Sequence, residues 1–276
     1  MHTQTRSLKR FALRGVAALA CLAAVNAHAV TVQVTVENIG SHDGLWFTPV
    51  FFGFHDGSFD TFDSGSYASS SIESLAEGGD ASGLASDIMG VAGSKHHVLL
   101  QDGSGAPPGV LFAPGESASF RIDLDATLNR YLSFASMVVP SNDIFIGNED
   151  PMGIELFDGY GNLNMDLSFD LFGANIWDAG TELNDLMGAP LSPLGGISTD
   201  TMSPISLLGQ AGLDGFQGAA LATGTNLSDY LSTHDSLARI SVQQVPDSTQ
   251  YIGFMGAIAL VGFGFVSKRR MGQEKA

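Results

Sequence analysis

Thiol chemistry is nearly absent from this chain. Its one cysteine among 276 residues is Cys21, inside an apolar run near the N-terminus. That run, Val16 to Val25, follows a basic stretch ending at Arg14 and precedes Ala27-His28-Ala29. The pattern predicts a secretory signal peptide over 1–29, with Ala27 and Ala29 forming the A-x-A cleavage site. Its removal would take the thiol with it, so a mature chain starting at Val30 has neither disulfides nor thiolate ligands. A lipoprotein acylated at Cys21 is the alternative, against which Ala18 stands where a leucine is usual.

Basic residues are scarce too. There are 12 Lys and Arg against 29 Asp and Glu, a formal net charge of −17. Arg6, Lys9, Arg10 and Arg14 lie at one end and Lys268, Arg269, Arg270 and Lys275 at the other, leaving Lys95, Arg121, Arg130 and Arg239 between them. Such a body repels nucleic acid and anionic lipid and favours cations or basic partners, although solubility alone would account for the same excess. Enzyme motifs are missing as well: no G-x-S-x-G elbow, Walker loop, G-x-G-x-x-G or H-E-x-x-H occurs. His96 and His97 adjoin, so on a strand they would point to opposite faces rather than share a metal.

Repeated amphipathic helices, which a parallel α/β fold requires, are also lacking. Strand patterns take their place. "VTVQVTVE" (30–37) alternates apolar and polar residues throughout, and "SFRIDLDA" turns Phe120, Ile122 and Leu124 to one side. Further strands are expected at Tyr131–Val139, Met152–Phe157, Met165–Leu171 and Leu237–Val242, with "FDGYGN" (157–162) as a glycine-rich hairpin turn. Helical signal is limited to "SSIESLAE", with Ser70 and Glu73 spaced as a capping box, and to Leu227–Leu231. A stretch from 188 to 226 has no clear period and reads as an insertion packed on the domain or partly mobile. The expectation is an all-β fold, an antiparallel β-sandwich with long loops and a few short helices, over 30–243.

At the C-terminus, "IGFMGAIALVGFGFV" (252–266) carries no charge and is followed by Lys268-Arg269-Arg270. With Tyr251 and Ser267 it is expected to form a short transmembrane helix over 251–267, its basic tail cytoplasmic and the body outside, a buried core helix being the alternative. Upstream stands Val245-Pro246-Asp247-Ser248. The V-P-acid motif, glycine-containing span and basic tail of 244–276 together resemble the PEP-CTERM class of sorting signals, particularly its V-P-D-S-G variant, with Thr249 in place of the glycine. That resemblance implies processing by an exosortase-type membrane enzyme.

The acids fall in loops that are able to converge. Asp143 follows "SMVVP", and "NIWDAGTELND" (175–185) separates Asp178 from Glu182 by Ala-Gly-Thr. Gly180 allows a tight fold there, with Trp177 and Leu183 expected to pin the loop to the core. Three hard oxygen ligands without sulfur or imidazole suit calcium, while three independently solvated loop acids would read the same way. Asp158, Asn162 and Asn164 mimic a calcium loop only superficially, because Tyr160 occupies a required oxygen position and the terminal glutamate is missing.

Three blocks, "WFTPVFFGFHDGSFDTFDSGSYASSSIESLAEGGD" (46–80), "SFASMVVPSNDIFIGNEDP" (133–151) and "NIWDAGTELND", together resemble the spondin N-terminal domain family. The resemblance implies a β-sandwich with a bound calcium ion whose carboxylates fall on Asp143, Asp178 and Glu182. Glu182 replaces the aspartate common in animal members, and Ile144 replaces a tryptophan. Glu149 and Asp150 match no family role. The reading is then an exported bacterial protein, membrane-anchored or released at the cell surface, that serves adhesion or recognition without catalysis. A surface glycan or exopolysaccharide is its expected partner. A structural matrix component and a calcium-dependent hydrolase are the rival readings.

Overall fold

The computed structural model describes residues 29–101, 111–164, 167–185, 198–221, 226–227 and 231–246. Ala27, the sorting-motif residues Asp247 and Ser248, and the apolar segment 251–267 lie outside the described residues. Among the described residues, no helix is long and apolar enough to cross a membrane.

The fold is mostly β, built from two antiparallel sheets packed face to face. The first sheet joins four strands: β1 (Val30–Asn38), β5 (Ser117–Leu124), β8 (Leu167–Phe172) and β11 (Ser236–Gln244), in the order β5-β1-β11-β8. The second has the order β10-β9-β7-β6-β3-β4, and β2 also pairs with β6. Its members are β2 (Trp46–Phe47), β3 (Val50–His55), β4 (Lys95–Leu99), β6 (Tyr131–Val139), β7 (Ile144–Gly147), β9 (Ile176–Asp178) and β10 (Ser206–Leu207).

Burial explains the form of each strand. In β1, Val32, Val34 and Val36 are buried while Glu37 is exposed, and in β5 Phe120 and Leu124 are buried between exposed neighbours. These strands face water on one side, which is why their residues alternate. In contrast, β3 is buried at all of its positions, from Val50 to His55. Its Phe52 and Phe54 face the first sheet, and its Phe51 belongs to a second apolar cluster on the other side. Two helices supply that cluster, α1 (Ser70–Gly78) through Ile72, Leu75 and Ala76, and α2 (Ser82–Met89) through Leu84 and Ile88. Gly53 is where α2 comes closest: a Cβ there would lie 2.7 Å from the Ile88 Cδ1. The domain is therefore layered, with two helices on the outer face of the larger sheet.

Several details depart from expectation. Ser69, not Ser70, caps α1, its hydroxyl accepting from the Ile72 N–H at 3.3 Å. Residues 152–157 form no strand; turns lead into isolated bridges of Glu155 with Tyr131 and Phe157 with Leu163. Between Phe157 and Leu163 the expected tight turn is present, with Asp158 Oδ1 accepting from the Tyr160 and Asn162 N–H groups. Leu227 lies outside any helix, bonding Ala219 through its backbone, and 228–230 fall outside the described residues, as do 165–166. Within 198–221 the expected insertion packs on the sandwich: β10 adds to the second sheet and a short helix, α3 (Gly209–Asp214), follows it. Ile205, Leu213, Phe216 and Leu221 are all buried. Pairing continues beyond Gln243, because β11 runs to Gln244 and the Val245 N–H donates to the Thr31 carbonyl at 2.9 Å.

Candidate functional site

The acidic loops meet where β7 and β9 pair. Ile144 lies opposite Asp178 in that ladder, and the Ala179 N–H donates to the Asp143 carbonyl at 3.1 Å. Asp143 is thus held at the mouth of β7 by the strand that carries Asp178. A serine turn sets its approach, with the Ile144 N–H donating to Ser141 Oγ at 3.2 Å. After β9 the chain turns sharply at Gly180, where φ is +71° and a Cβ would lie 2.3 Å from the Ser203 carbonyl oxygen. Only glycine fits both conditions. The turn aims two backbone N–H groups, those of Thr181 and Glu182, at Asp143 Oδ2 from 2.8 and 2.9 Å. The Thr181 hydroxyl adds a longer contact of 3.4 Å.

One carboxylate oxygen is therefore well satisfied, and the other is not. Asp143 is fully buried, yet its Oδ1 has no hydrogen-bond partner among the described residues. Buried polar atoms left alone are uncommon and costly. Burial pushes the Asp143 carboxyl up to about 6; the backbone N–H of Glu182 opposes this, and the nearby Asp178 charge reinforces it. Asp178 is raised as well, chiefly by burial, while bonds from the Gly180 N–H at 2.8 Å and Asn184 Nδ2 at 2.9 Å hold it down.

Glu182 is buried but turned to other partners: Asn142 Nδ2 donates to its Oε2 at 3.3 Å, and Ser198 Oγ donates to its Oε1. Leu183 is 55% exposed and pins nothing, whereas Trp177 is 8% exposed and donates Nε1–H to the Gly147 carbonyl. The core contact at this loop is instead aromatic, since Phe62 meets Phe145 and Trp177 at 4.9 and 5.1 Å between ring centres.

A fourth acid joins from the helical layer. Glu77, near the end of α1, hydrogen-bonds the Thr181 side chain; burial raises its carboxyl first, and the charges of Glu182, Glu73 and Asp143 raise it further. Its place in the last turn of a helix with no basic residue there is itself unfavourable for an anion. No spacing rule links residue 77 to 143 or 178, so only the packing of α1 on the sheet reveals it. Glu149 and Asp150 are exposed, with Glu149 accepting from the Ser64 N–H.

The donor chemistry fits a hard cation. The acids supply oxygen alone, one buried oxygen is unpartnered among the described residues, and the Asp178 charge adds to the cost of ionising Asp143. The pair, rather than a ready-made triad, carries that fit: among the described residues, no three His, Cys, Asp or Glu side chains are arranged to hold a metal.

A two-sheet sandwich with a helical outer layer and a carboxylate-lined turn defines the class. A model of the Spondin_N family matches residues 41–191, and the chain belongs to that family, the spondin N-terminal domain. The match contains all three quoted blocks, while β1, β10, α3 and β11 lie beyond it. No curated protein matches the chain.

Proposed function

We propose that this chain is an exported, calcium-binding adhesion or recognition protein without catalytic activity. The observation that carries the reading is the fully buried, unpartnered Asp143 Oδ1 beside a second carboxylate of raised affinity for protons. Asp143 and Asp178 would hold the cation, and Glu182 completes the acidic set. Bound calcium supplies positive charge that cancels the repulsion among them. The chain's own residues do the rest: Gly180 folds the turn, the Thr181 and Glu182 amides orient Asp143, and Phe62 and Trp177 exclude water beneath. Calcium would stabilise the fold by mass action, which calorimetry of the purified protein with calcium and with a chelator tests. An unchanged Tm refutes it.

Export and anchoring rest on the two ends: a signal peptide over 1–29, a PEP-CTERM-type motif at 245–248, and a span over 251–267 processed by an exosortase-type enzyme. The acidic body and absence of thiols suit an external setting, with a surface glycan or exopolysaccharide as the expected partner. A structural matrix role would show calcium-dependent stability with no saturable ligand, so binding screens on exopolysaccharide separate the two. For the hydrolase reading, the buried Ser–His contact is unhelpful. His55 Nδ1 accepts from the Gly57 N–H at 3.1 Å, so the neutral ring carries its proton on Nε2, 2.9 Å from Ser133 Oγ. That imidazole donates to the serine and does not serve as its base.

A further inference from the structure

The edge of the first sheet at β8 opens onto a cavity of about 540 Å³ between the sheets, remote in role from the Asp143 turn. Its apolar lining includes Phe134 of β6, Leu167 and Phe169 of β8, and Ile154, with Asn148 and Asn175 among the polar residues. Leu167, Phe169 and Ile154 are only partly covered by the core they pack on. Among the described residues, every charged residue that lines the cavity is an acid, namely Glu149, Asp150, Glu155 and Asp170. Arg130 neutralises Glu155 and Arg239 neutralises Asp170, whereas Glu149 and Asp150 form no ion pair among the described residues.

The strand beside this cavity is also unfinished. β8 pairs with β11 alone, and among the described residues the backbone of 167–171 makes no hydrogen bond beyond that ladder. An edge of this kind accepts an added strand, whose alternate side chains enter a neighbouring groove. The cavity volume suits a few side chains.

From the free edge, apolar floor and uncompensated acids together, we infer that β8 is a docking site for an extended, basic peptide segment of another protein, with alternating apolar and Lys or Arg residues. Charge selects this occupant. A second copy of the chain would bring acids against acids. A neutral glycan could stack only on the partly covered Phe169, Phe134 and Trp177 being 1% and 8% exposed, and would leave Glu149 and Asp150 without a countercharge. The added strand would pair its backbone with β8, place apolar side chains over Phe169, and set its ammonium or guanidinium groups against Glu149 and Asp150.

The test uses the full chain and three labelled decapeptides: alternating Val-Lys, alternating Val-Glu, and Val-Lys methylated along its backbone nitrogens. Fluorescence anisotropy should show saturable binding of the first peptide only. The surface double variant Glu149→Lys/Asp150→Lys should weaken it by about tenfold or more. Asp43→Lys/Asp214→Lys makes the same change in net charge at residues that do not line the cavity, and should change Kd less than about threefold. Equal binding of the methylated peptide, or equal weakening by both double variants, would overturn strand addition at this site and leave only diffuse charge attraction. Self-association abolished by Glu149→Lys/Asp150→Lys would overturn it in favour of a second copy, and exopolysaccharide binding lost in that variant would do so in favour of a glycan.

Discussion

Replacing Asp143 by Asn separates the electrostatic cost of the turn from its packing. Asn keeps the shape and one acceptor for the Thr181 and Glu182 amides, but it never ionises. The parent carboxyl is raised from 3.8 to about 6 by burial. A raised carboxyl favours the folded state only while protonated, so its contribution is fully present below pH 3.8 and falls as pH rises, levelling off above about 6. That rise corresponds to about 3 kcal/mol lost between pH below 3.8 and neutral pH in the absence of a cation. Asp178, raised in the same direction, adds to the trend. Urea denaturation of parent and variant, each in chelator at pH 4.5 and pH 7, measures it. The stability difference, parent minus variant, should fall by about 2 kcal/mol over this range, the rest of the loss lying below pH 4.5, and calcium should restore the parent at pH 7 but not the variant. A pH-independent difference would refute the buried-charge account, and equal calcium rescue of both would refute the site.

Other perturbations probe different parts of the structure. Asp178→Ala should abolish calcium-induced thermal stabilisation, while Asp158→Ala, in an exposed turn held by its own bonds to Tyr160 and Asn162, should leave it nearly intact by calorimetry. Gly180→Ala should cost at least about 2 kcal/mol in chemical denaturation, because the residue would take φ +71° with its methyl against the Ser203 carbonyl. Leu75→Ala, fully buried in α1, should cost about 2–5 kcal/mol in a single cooperative transition if the helices belong to the same folding unit as the sheets. Deleting 245–276 should move the protein from the membrane to the soluble fraction, and unchanged fractionation would rule out the anchor.

Legibility in the sequence followed burial. β1 and β5 face water on one side and announce themselves by alternation, and β6 appears at the expected residues, Tyr131–Val139. β3 does not, because helices cover its second face and leave it a continuous apolar run. The same cover hides β7, Ile144–Gly147, whose residues are all buried and therefore show no alternation. α2 has little to signal it: its N-cap is Ala81, which has no capping side chain, and Leu84 and Ile88 are its only buried residues. At the site, Asp143, Asp178 and Gly180 were legible from motif spacing and turn chemistry. The engagement of Glu182 with Asn142 and Ser198, and the approach of Glu77, depend on contacts between segments distant in sequence.

The strand order of the smaller sheet has a consequence for biogenesis. β1, at the start of the described residues, is flanked by β5 and by β11, so one of its two neighbours is the last described strand to be synthesised. Until Ser236–Gln244 has left the ribosome, this half of the sandwich has no closed form and its valines have no permanent cover. A nascent chain built in this order keeps one side of β1 unpaired until the last described strand has emerged.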